Sequence, residues 1–186
     1  MARQVGFPLT RLEAGGAGPS ASLPDAGRFL AMLAAGCAGG RIGELGTGVG
    51  IGAAWMASAM PADCELITVE IDEQRAAAAR EVLAGDRRVE VVTGDSLKVL
   101  SGRAPFDLVF ADGGGGQDKA ALVELLRVGG RLVVDDVTPQ ELLPPGDPFR
   151  ADDPKRNAFF DDPRLVSAEV VLPDLRNSLL VGTRVR

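Results

Sequence analysis

The sequence predicts an α/β fold with a doubly wound, mostly parallel seven-stranded sheet that includes an antiparallel C-terminal hairpin strand. From residue 41 onward, short valine-rich segments alternate with segments typical of helices. Strands this apolar indicate a sheet that is covered on both faces, and strand–helix alternation implies right-handed crossovers between parallel strands. The chain closes with two further strand-like segments only four residues apart, a spacing typical of a hairpin.

The predicted elements follow one another in a regular order. A helix opens at Pro24 and Asp25 and continues to about Ala35, with apolar side chains recurring on one face. Five strands are predicted at 41–45, 65–70, 88–93, 106–111 and 130–135. The helices between them are predicted at 51–60, 72–84, 95–101 and 117–127, and the terminal hairpin at 165–172 and 177–184.

Two segments fall outside this alternation. Residues 1–24 are rich in Gly, Pro, Ser and Ala, which predicts a flexible N-terminal arm ahead of a single domain at 25–186. Residues 137–163 contain six prolines and a short predicted helix at 154–160. A connection of this length is typical of a lid or a binding loop.

The composition excludes several classes of function. A net charge of −6 argues against nucleic acid as a partner, because phosphate neutralisation needs a basic face. No apolar run approaches the roughly 20 residues that cross a bilayer, and the N-terminus lacks a secretory pattern, so we expect a cytoplasmic protein without a membrane partner. The absence of histidine excludes histidine-based triads and zinc hydrolase motifs. Cys37 and Cys64 are expected to be buried free thiols, with a disulfide as the alternative.

A glycine-rich turn, E-L-G-T-G-V-G from Glu44 to Gly50, lies between a predicted strand and a predicted helix. Its alternating glycines, which include Gly46 and Gly48, let a ligand lie against main-chain amides. The dinucleotide fingerprint needs a glycine at the position of Ile51. The Glu44 carboxylate would repel a pyrophosphate and suits a ligand with a cationic end, such as S-adenosylmethionine. A generic tight turn and an altered dinucleotide site are the alternatives.

Polar residues also follow the next two strands. Glu70 ends the second strand, where a carboxylate can accept both hydroxyls of a ribose. The alternative is a helix cap ahead of Glu73, a role for which Asp72 is better placed. After the third strand, Asp95 and Ser96 could bind an adenine amine and a ring nitrogen. A helix N-cap explains the same pair equally well.

Three aspartates end the fourth and fifth strands: Asp112, Asp135 and Asp136. Carboxylates that converge in this way repel one another unless they are protonated, solvated or bridged by a cation. Because the ligands are oxygens, Mg²⁺ fits best, with Mn²⁺ or Ca²⁺ also suitable. One ligand-contacting aspartate beside a capping pair is the alternative.

Taken together, the motifs resemble a class I S-adenosylmethionine-dependent methyltransferase with a Rossmann-like fold. They comprise 44–50, Glu70, 94–96, 106–112 and 129–137, and their order is most similar to the small catechol-type, cation-dependent O-methyltransferases. The resemblance covers roughly residues 25–137 and includes the terminal hairpin. It implies that the methyl donor is bound by Glu44, Gly46, Thr47, Gly48, Gly50, Glu70, Ile71, Asp95, Ser96 and Asp112. It also implies that Asp112, Asp135 and Asp136 hold Mg²⁺.

The chain departs from the pattern of that family in three places. Asp136 stands where the family usually has asparagine, and Gly52 stands where a hydroxyl residue is frequent. A run of four glycines, 113–116, replaces the segment that carries the catalytic lysine. Lys119 is then the nearby candidate for the general base, acting beside Asp112.

The resemblance implies methyl transfer to a hydroxyl of a small-molecule acceptor by in-line displacement, with possible Mg²⁺ assistance. The acceptor walls are expected from the arm 1–24 and the loop 137–163, including Phe149, Phe159 and Phe160. Packing of most of these rings against the sheet is the alternative. By family analogy, the arm could also pair two chains as a homodimer. A non-catalytic domain that binds S-adenosylmethionine or S-adenosylhomocysteine is the alternative function. A nicotinamide-dependent oxidoreductase is disfavoured by Ile51 and by the lack of a hydride-handling residue.

Overall fold

The computed structural model describes residues 24–112, 118–172 and 177–186, with the side chain of Asp136 left aside. Six helices lie in these ranges: α1 (Pro24–Ala35), α2 (Ile51–Ala59), α3 (Glu73–Leu83), α4 (Ser96–Ser101), α5 (Lys119–Glu124) and α6 (Pro154–Phe160). Short 3₁₀ turns occur at Gln140–Leu142 and Pro148–Arg150. Residues 1–23 of the predicted arm and the 113–116 glycine run lie outside the described residues.

The described strands form one sheet. They are β1 (Arg41–Leu45), β2 (Glu65–Glu70), β3 (Val89–Thr93), β4 (Phe106–Ala111), β5 (Leu126–Val137), β6 (Leu165–Val171) and β7 (Ser178–Arg184). Their spatial order is β3-β2-β1-β4-β5-β7-β6. The first five are mutually parallel, and β7 runs antiparallel to both β5 and β6. The predicted doubly wound sheet with an antiparallel hairpin strand is therefore confirmed.

Two hydrophobic clusters cover the opposite faces of this sheet. One cluster joins α1, α2 and α3 through buried side chains such as Leu30, Met56 and Leu83. The other joins α4, α5 and α6 through Leu100 and Phe159, among others. Because both faces are buried, the strands are apolar on both sides, as their valine-rich sequences indicated. None of the helices that the structure describes is both long and apolar enough to cross a membrane.

The strand β5 is longer than the predicted 130–135, and α5 stops at Glu124 instead of continuing to 127. The Phe106 amide donates to the Leu125 carbonyl, and Leu126 pairs with Phe106 in the sheet. The register then shifts before Leu108 pairs with Arg131. The apolar pair at 125–126 continues the helical pattern in the sequence, so pairing with a distant strand overrides the local preference.

We expect Gly130→Ala to destabilise the fold by about 1–3 kcal/mol, because the added atom has no room. A Cβ at Gly130 would lie 2.8 Å from the Phe106 carbonyl oxygen and 2.9 Å from that of Arg127, and both neighbours are backbone atoms. Gly85→Ala is the matched control, since nothing lies within 4 Å of its Cβ position. Urea unfolding should show Gly85→Ala unchanged or slightly stabilised. Equal stability of the two variants would contradict the proposed crowding at the β4–β5 register shift.

Candidate functional site

The glycine loop connects β1 to α2 at the carboxyl edge of the sheet. Gly46, Gly48 and Gly50 have φ angles of 89°, 55° and 94°, which are left-handed values that favour glycine. Nothing lies within 4 Å of the Cβ position of Gly48, so the backbone there faces open space. The loop therefore has the exposed main-chain surface that the sequence predicted for a ligand site.

A buried carboxyl group lies directly beneath this loop. Glu44 is fully buried, and its Oε2 accepts a hydrogen bond from Thr68 Oγ1 at 2.5 Å. The Thr68 hydroxyl in turn lies 2.5 Å from the hydroxyl of Thr47. Glu44 Oε1 has no hydrogen-bond partner among the described atoms. A buried carboxyl oxygen without a partner is costly in free energy, so it suits a ligand that brings a cation or a donor.

The electrostatics of Glu44 follow from its position. Burial raises the pKa of Glu44 to about 8, and the nearby carboxylates of Asp112 and Glu70 push it in the same direction. The hydrogen bond from Thr68 acts the other way. A cation brought beside Oε1 would favour the charged carboxylate and lower this pKa. Ligand binding and deprotonation of Glu44 are therefore expected to be coupled.

Glu70 ties the glycine loop to the end of β2. Its Oε2 accepts from the Gly48 amide at 2.8 Å, and its Oε1 accepts from the Asp72 amide at 3.1 Å. Asp72 caps α3 by accepting from Gln74 and Arg75, which confirms the capping role assigned to it. The predicted ribose contact of Glu70 stays a prediction. The neighbouring side chain of Ile71, which is 76% exposed, presents an apolar surface at this edge.

Asp95, which follows the third strand, is the N-cap of α4, and this confirms the capping role that was one of its two predicted roles. Its side chain accepts from the Lys98 amide at 2.9 Å and thereby caps α4. The Ser96 hydroxyl donates to the Val69 carbonyl at 3.3 Å. The second bond places the Ser96 side chain beside β2, and the predicted contact of Asp95 and Ser96 with adenine stays a prediction.

Two of the three aspartates are described in full, and they lie at neighbouring strand ends. The Asp112 amide donates to the Leu45 carbonyl at 2.9 Å, which places Asp112 beside the glycine loop. Asp135 is buried, and its Oδ1 accepts from Asn177 Nδ2 at 2.7 Å. The side chain of Asp136 lies outside the described residues. Within the described part of the chain no group of three metal-ligating side chains is found, so the Mg²⁺ site stays a prediction.

The sequence analysis did not identify two residues whose side chains bond the carboxyl groups of Glu44 and Asp135. Thr68 lies opposite Glu44 in the β1–β2 register, and Asn177 reaches Asp135 from the start of β7. Neither belongs to a motif. The alignment of parallel strands could have suggested Thr68, because it comes two residues before Glu70 in the strand that neighbours Glu44. No sequence signal pointed to Asn177.

Lys119 is the first residue of α5, and it follows Asp112 by seven positions in the sequence. It is half-buried, and this burial lowers its pKa, with a further lowering from the ammonium of Lys155. A lowered pKa raises the fraction of neutral amine that could accept a proton. The position is therefore compatible with the predicted role of general base.

The aromatic residues of the loop 137–163 divide between two roles. Phe159 is fully buried in the core, because α6 packs that ring against the sheet, so for this residue the alternative of core packing holds and not the acceptor wall. Phe160 contacts it edge to face with ring centroids 6.2 Å apart. Phe149 is 52% exposed and lines a cavity beside the end of β5.

A glycine loop over a buried carboxylate, at the carboxyl edge of a doubly wound sheet, defines a Rossmann-like protein built to bind a nucleoside-type ligand. A sequence profile of the O-methyltransferase family matches residues 18–159. The chain therefore belongs to the O-methyltransferase family, and the resemblance inferred from its motifs is confirmed.

Individual relatives agree with this assignment. A catechol O-methyltransferase of Niastella koreensis is 37% identical over 129 residues, which cover 61% of this chain and 57% of that protein. An O-methyltransferase of Streptomyces achromogenes involved in tomaymycin synthesis, solved in complex with S-adenosylmethionine, is 26% identical. Its TM-score is 0.71, and the match covers 90% of this chain and 82% of that one. The present chain spans a little over half the length of the curated relatives it matches.

Proposed function

We propose that this chain binds S-adenosylmethionine and transfers its methyl group to a hydroxyl of a small-molecule acceptor. The observation that carries the proposal is the fully buried Glu44 beneath the glycine loop, whose Oε1 has no hydrogen-bond partner among the described residues. This is the environment in which a carboxylate would hold the cationic amino-acid end of the donor. Membership of the O-methyltransferase family supports the same reaction.

Each donor-binding residue has a role that its surroundings support. The open backbone at Gly48 would receive the donor, and the Thr47–Thr68 hydroxyl pair would keep the Glu44 carboxylate oriented. Glu70 holds the loop in place and retains lone pairs for the ribose hydroxyls. Asp95 and Ser96, with the exposed side chain of Ile71, would frame the adenine.

When bound, S-adenosylmethionine supplies an electrophilic methyl group on a positively charged sulfur. The protein would hold the acceptor oxygen in line with the bond from that methyl carbon to sulfur. As the new carbon–oxygen bond forms, the electron pair of the broken bond stays on sulfur. Lys119 would take the hydroxyl proton at its amine, a role that its lowered pKa favours.

We also propose that the site binds a divalent cation. The oxygens of Asp112 and Asp135 are ligands that Mg²⁺ prefers, and Asp136 would complete the set. A bound cation would lower the pKa of the acceptor hydroxyl and fix its orientation. Asn177 would then orient Asp135 through its 2.7 Å hydrogen bond.

The test is calorimetric titration of S-adenosylhomocysteine, followed by turnover of S-adenosylmethionine with a panel of phenols and catechols. We expect S-adenosylhomocysteine to bind, and turnover to need Mg²⁺ in the wild type. Asp135→Ala should abolish a separate Mg²⁺ isotherm while S-adenosylhomocysteine still binds. Asp25→Ala, on the exposed face of α1, is the control and should retain both.

Three other outcomes would change the proposed function or mechanism. Binding of S-adenosylhomocysteine without turnover of any acceptor would favour the non-catalytic alternative. Turnover that is indifferent to Mg²⁺ and to EDTA would remove the cation from the mechanism. A wild type that does not bind S-adenosylhomocysteine would refute the donor site itself.

A further inference from the structure

A cavity of about 240 Å³ opens at the carboxyl end of β5. Its lining includes the apolar side chains of Val137, Leu143 and Phe149, together with residues 153–156 at the start of α6. An engineered cavity of roughly 150 Å³ is known to admit benzene. The volume here therefore suits a single substituted ring.

The charged residues of this cavity differ in how far their charges are neutralised. Arg156 is paired with Asp153 and, through two hydrogen bonds of 2.9 and 2.7 Å, with Glu169. Lys155 also lines the cavity and is partly buried. Within the described ranges, no carboxylate forms an ion pair with the Lys155 ammonium; only its backbone amide is bonded, to Asp153. Among the described residues of the cavity, Lys155 is thus the cationic side chain whose charge is not neutralised by an ion pair.

A second lysine lies close to the first. The helix α5, which begins at Lys119, packs against α6. The ammonium of Lys155 is near enough to disfavour the charged form of Lys119. The described residues give Lys119 no ion pair either. Lys155, which lines the cavity, and Lys119, on the helix packed against α6, are therefore near each other in a chain with a net charge of −6, an arrangement that an anionic group would stabilise.

We infer that the methyl acceptor is a small ring that carries a carboxylate as well as the reacting hydroxyl. The carboxylate binds the ammonium of Lys155, and the ring lies against Val137, Leu143 and Phe149. The hydroxyl is presented toward Lys119, which receives its proton, and Lys155 acts in recognition. This inference rests on the proposed methyl transfer and names the class of acceptor for that same site.

The experiment compares two probes that differ only in charge: 3,4-dihydroxybenzoate and its neutral amide, 3,4-dihydroxybenzamide. Binding of each is measured calorimetrically on protein saturated with S-adenosylhomocysteine. A hydrogen bond to a charged group is worth about 1.5–3 kcal/mol, so the carboxylate probe should bind at least roughly tenfold more tightly. Added salt should reduce this preference, because Lys155 is only partly buried.

The matched variants are Lys155→Met and Lys98→Met. In Lys155→Met the preference for the carboxylate should fall to about one, through weaker binding of the benzoate alone, whereas the amide should bind as before. Lys98 is exposed on α4, and its replacement should leave the preference intact. Affinity for S-adenosylhomocysteine should be equal in all three proteins.

The inference is overturned by a wild type with no preference for the carboxylate, by a preference that survives in Lys155→Met, or by failure of both probes to bind. Each of these results leaves the proposed methyl transfer standing if S-adenosylhomocysteine still binds and another phenol is turned over. Loss of S-adenosylhomocysteine binding in the wild type would instead refute the proposed function.

Discussion

Replacement of Glu44 by glutamine is expected to weaken binding of S-adenosylhomocysteine by about a hundredfold and to abolish its dependence on pH. Glutamine has nearly the same volume and can still accept from Thr68, but it cannot become an anion. The lost interaction is a charge-assisted hydrogen bond in a fully buried site, worth about 1.5–3 kcal/mol. Calorimetry between pH 6 and 8 measures both effects.

The pH dependence follows from the pKa of Glu44, which is about 8 in the free protein. Below this pH the carboxyl is protonated, so a cationic ligand must displace one proton when it binds. Affinity in the wild type should therefore rise by up to about tenfold per pH unit until pH 8. Titration in two buffers of different ionisation enthalpy should show release of nearly one proton, and none in Glu44→Gln.

The free energy of unfolding gives an independent measure of the protonation of Glu44. Burial raises the folded-state pKa above the ordinary 4.5, so the folded protein binds the proton more tightly than the unfolded chain does. The stability that this proton contributes is complete below pH 4.5 and is lost as the pH rises to 8. Without ligand, Glu44→Gln should therefore be more stable than wild type at pH 8.

The control for these measurements is Glu65→Gln, an exposed carboxylate at the opposite end of β2. Its replacement should leave the affinity, the proton release and the stability at pH 8 as in the wild type. Wild-type affinity in Glu44→Gln, with the pH slope retained, would falsify the contact between Glu44 and the donor.

The largest loss of stability is expected for Arg156→Met, at about 3–5 kcal/mol in the free energy of unfolding. Arg156 is 4% exposed and bonds Asp153, Glu169 and, at 2.6 Å, the Thr138 carbonyl. Ser178 adds a 2.5 Å bond to Glu169. Arg156 thus joins α6, the segment after β5 and the hairpin, and its removal leaves the buried Asp153 and the partly buried Glu169 without their ion-pair partner.

Denaturant unfolding of Arg156→Met against Arg28→Met measures this effect. Arg28 pairs with Asp25 on the surface, with 68% of its side chain exposed, so its loss should change stability by less than about 1 kcal/mol. The double variant Arg156→Met with Glu169→Gln should recover part of the loss, because one unpaired charge is removed. Similar losses for the two arginines would contradict a role for the buried network.

The ion pair between Arg156 and Glu169 also predicts how the stability of the protein changes at acidic pH. The hydrogen bonds from Arg156 hold the pKa of Glu169 below its ordinary value of 4.5, with a smaller contribution from Ser178. The stability gained from this pair is complete above pH 4.5 and is lost as the pH falls through the lower folded-state pKa. The difference in stability between wild type and Arg156→Met should therefore narrow as the pH is lowered below 4.5.

Local pattern was sufficient for most of the secondary structure, because strand and helix periodicities are properties of short segments. It was wrong at 125–127, where two leucines continue a helical pattern but Leu126 pairs with Phe106. It left the role of Phe159 open, since nothing in the loop sequence distinguishes a ring packed on the sheet from one that faces a cavity. Both positions are decided by contacts between residues that are distant in the chain.

The sequence by itself determined the fold class, the glycine loop and the position of Glu44 beneath it, because each follows from residue type and spacing within one strand–turn–helix unit. Only the tertiary structure decided how Glu44 is held, with Thr68 on one oxygen and, within the described part of the chain, no partner on the other. It alone brought Asn177 to Asp135 and Lys155 close to Lys119. These relations depend on strand register and helix packing, which join residues that the linear sequence keeps apart.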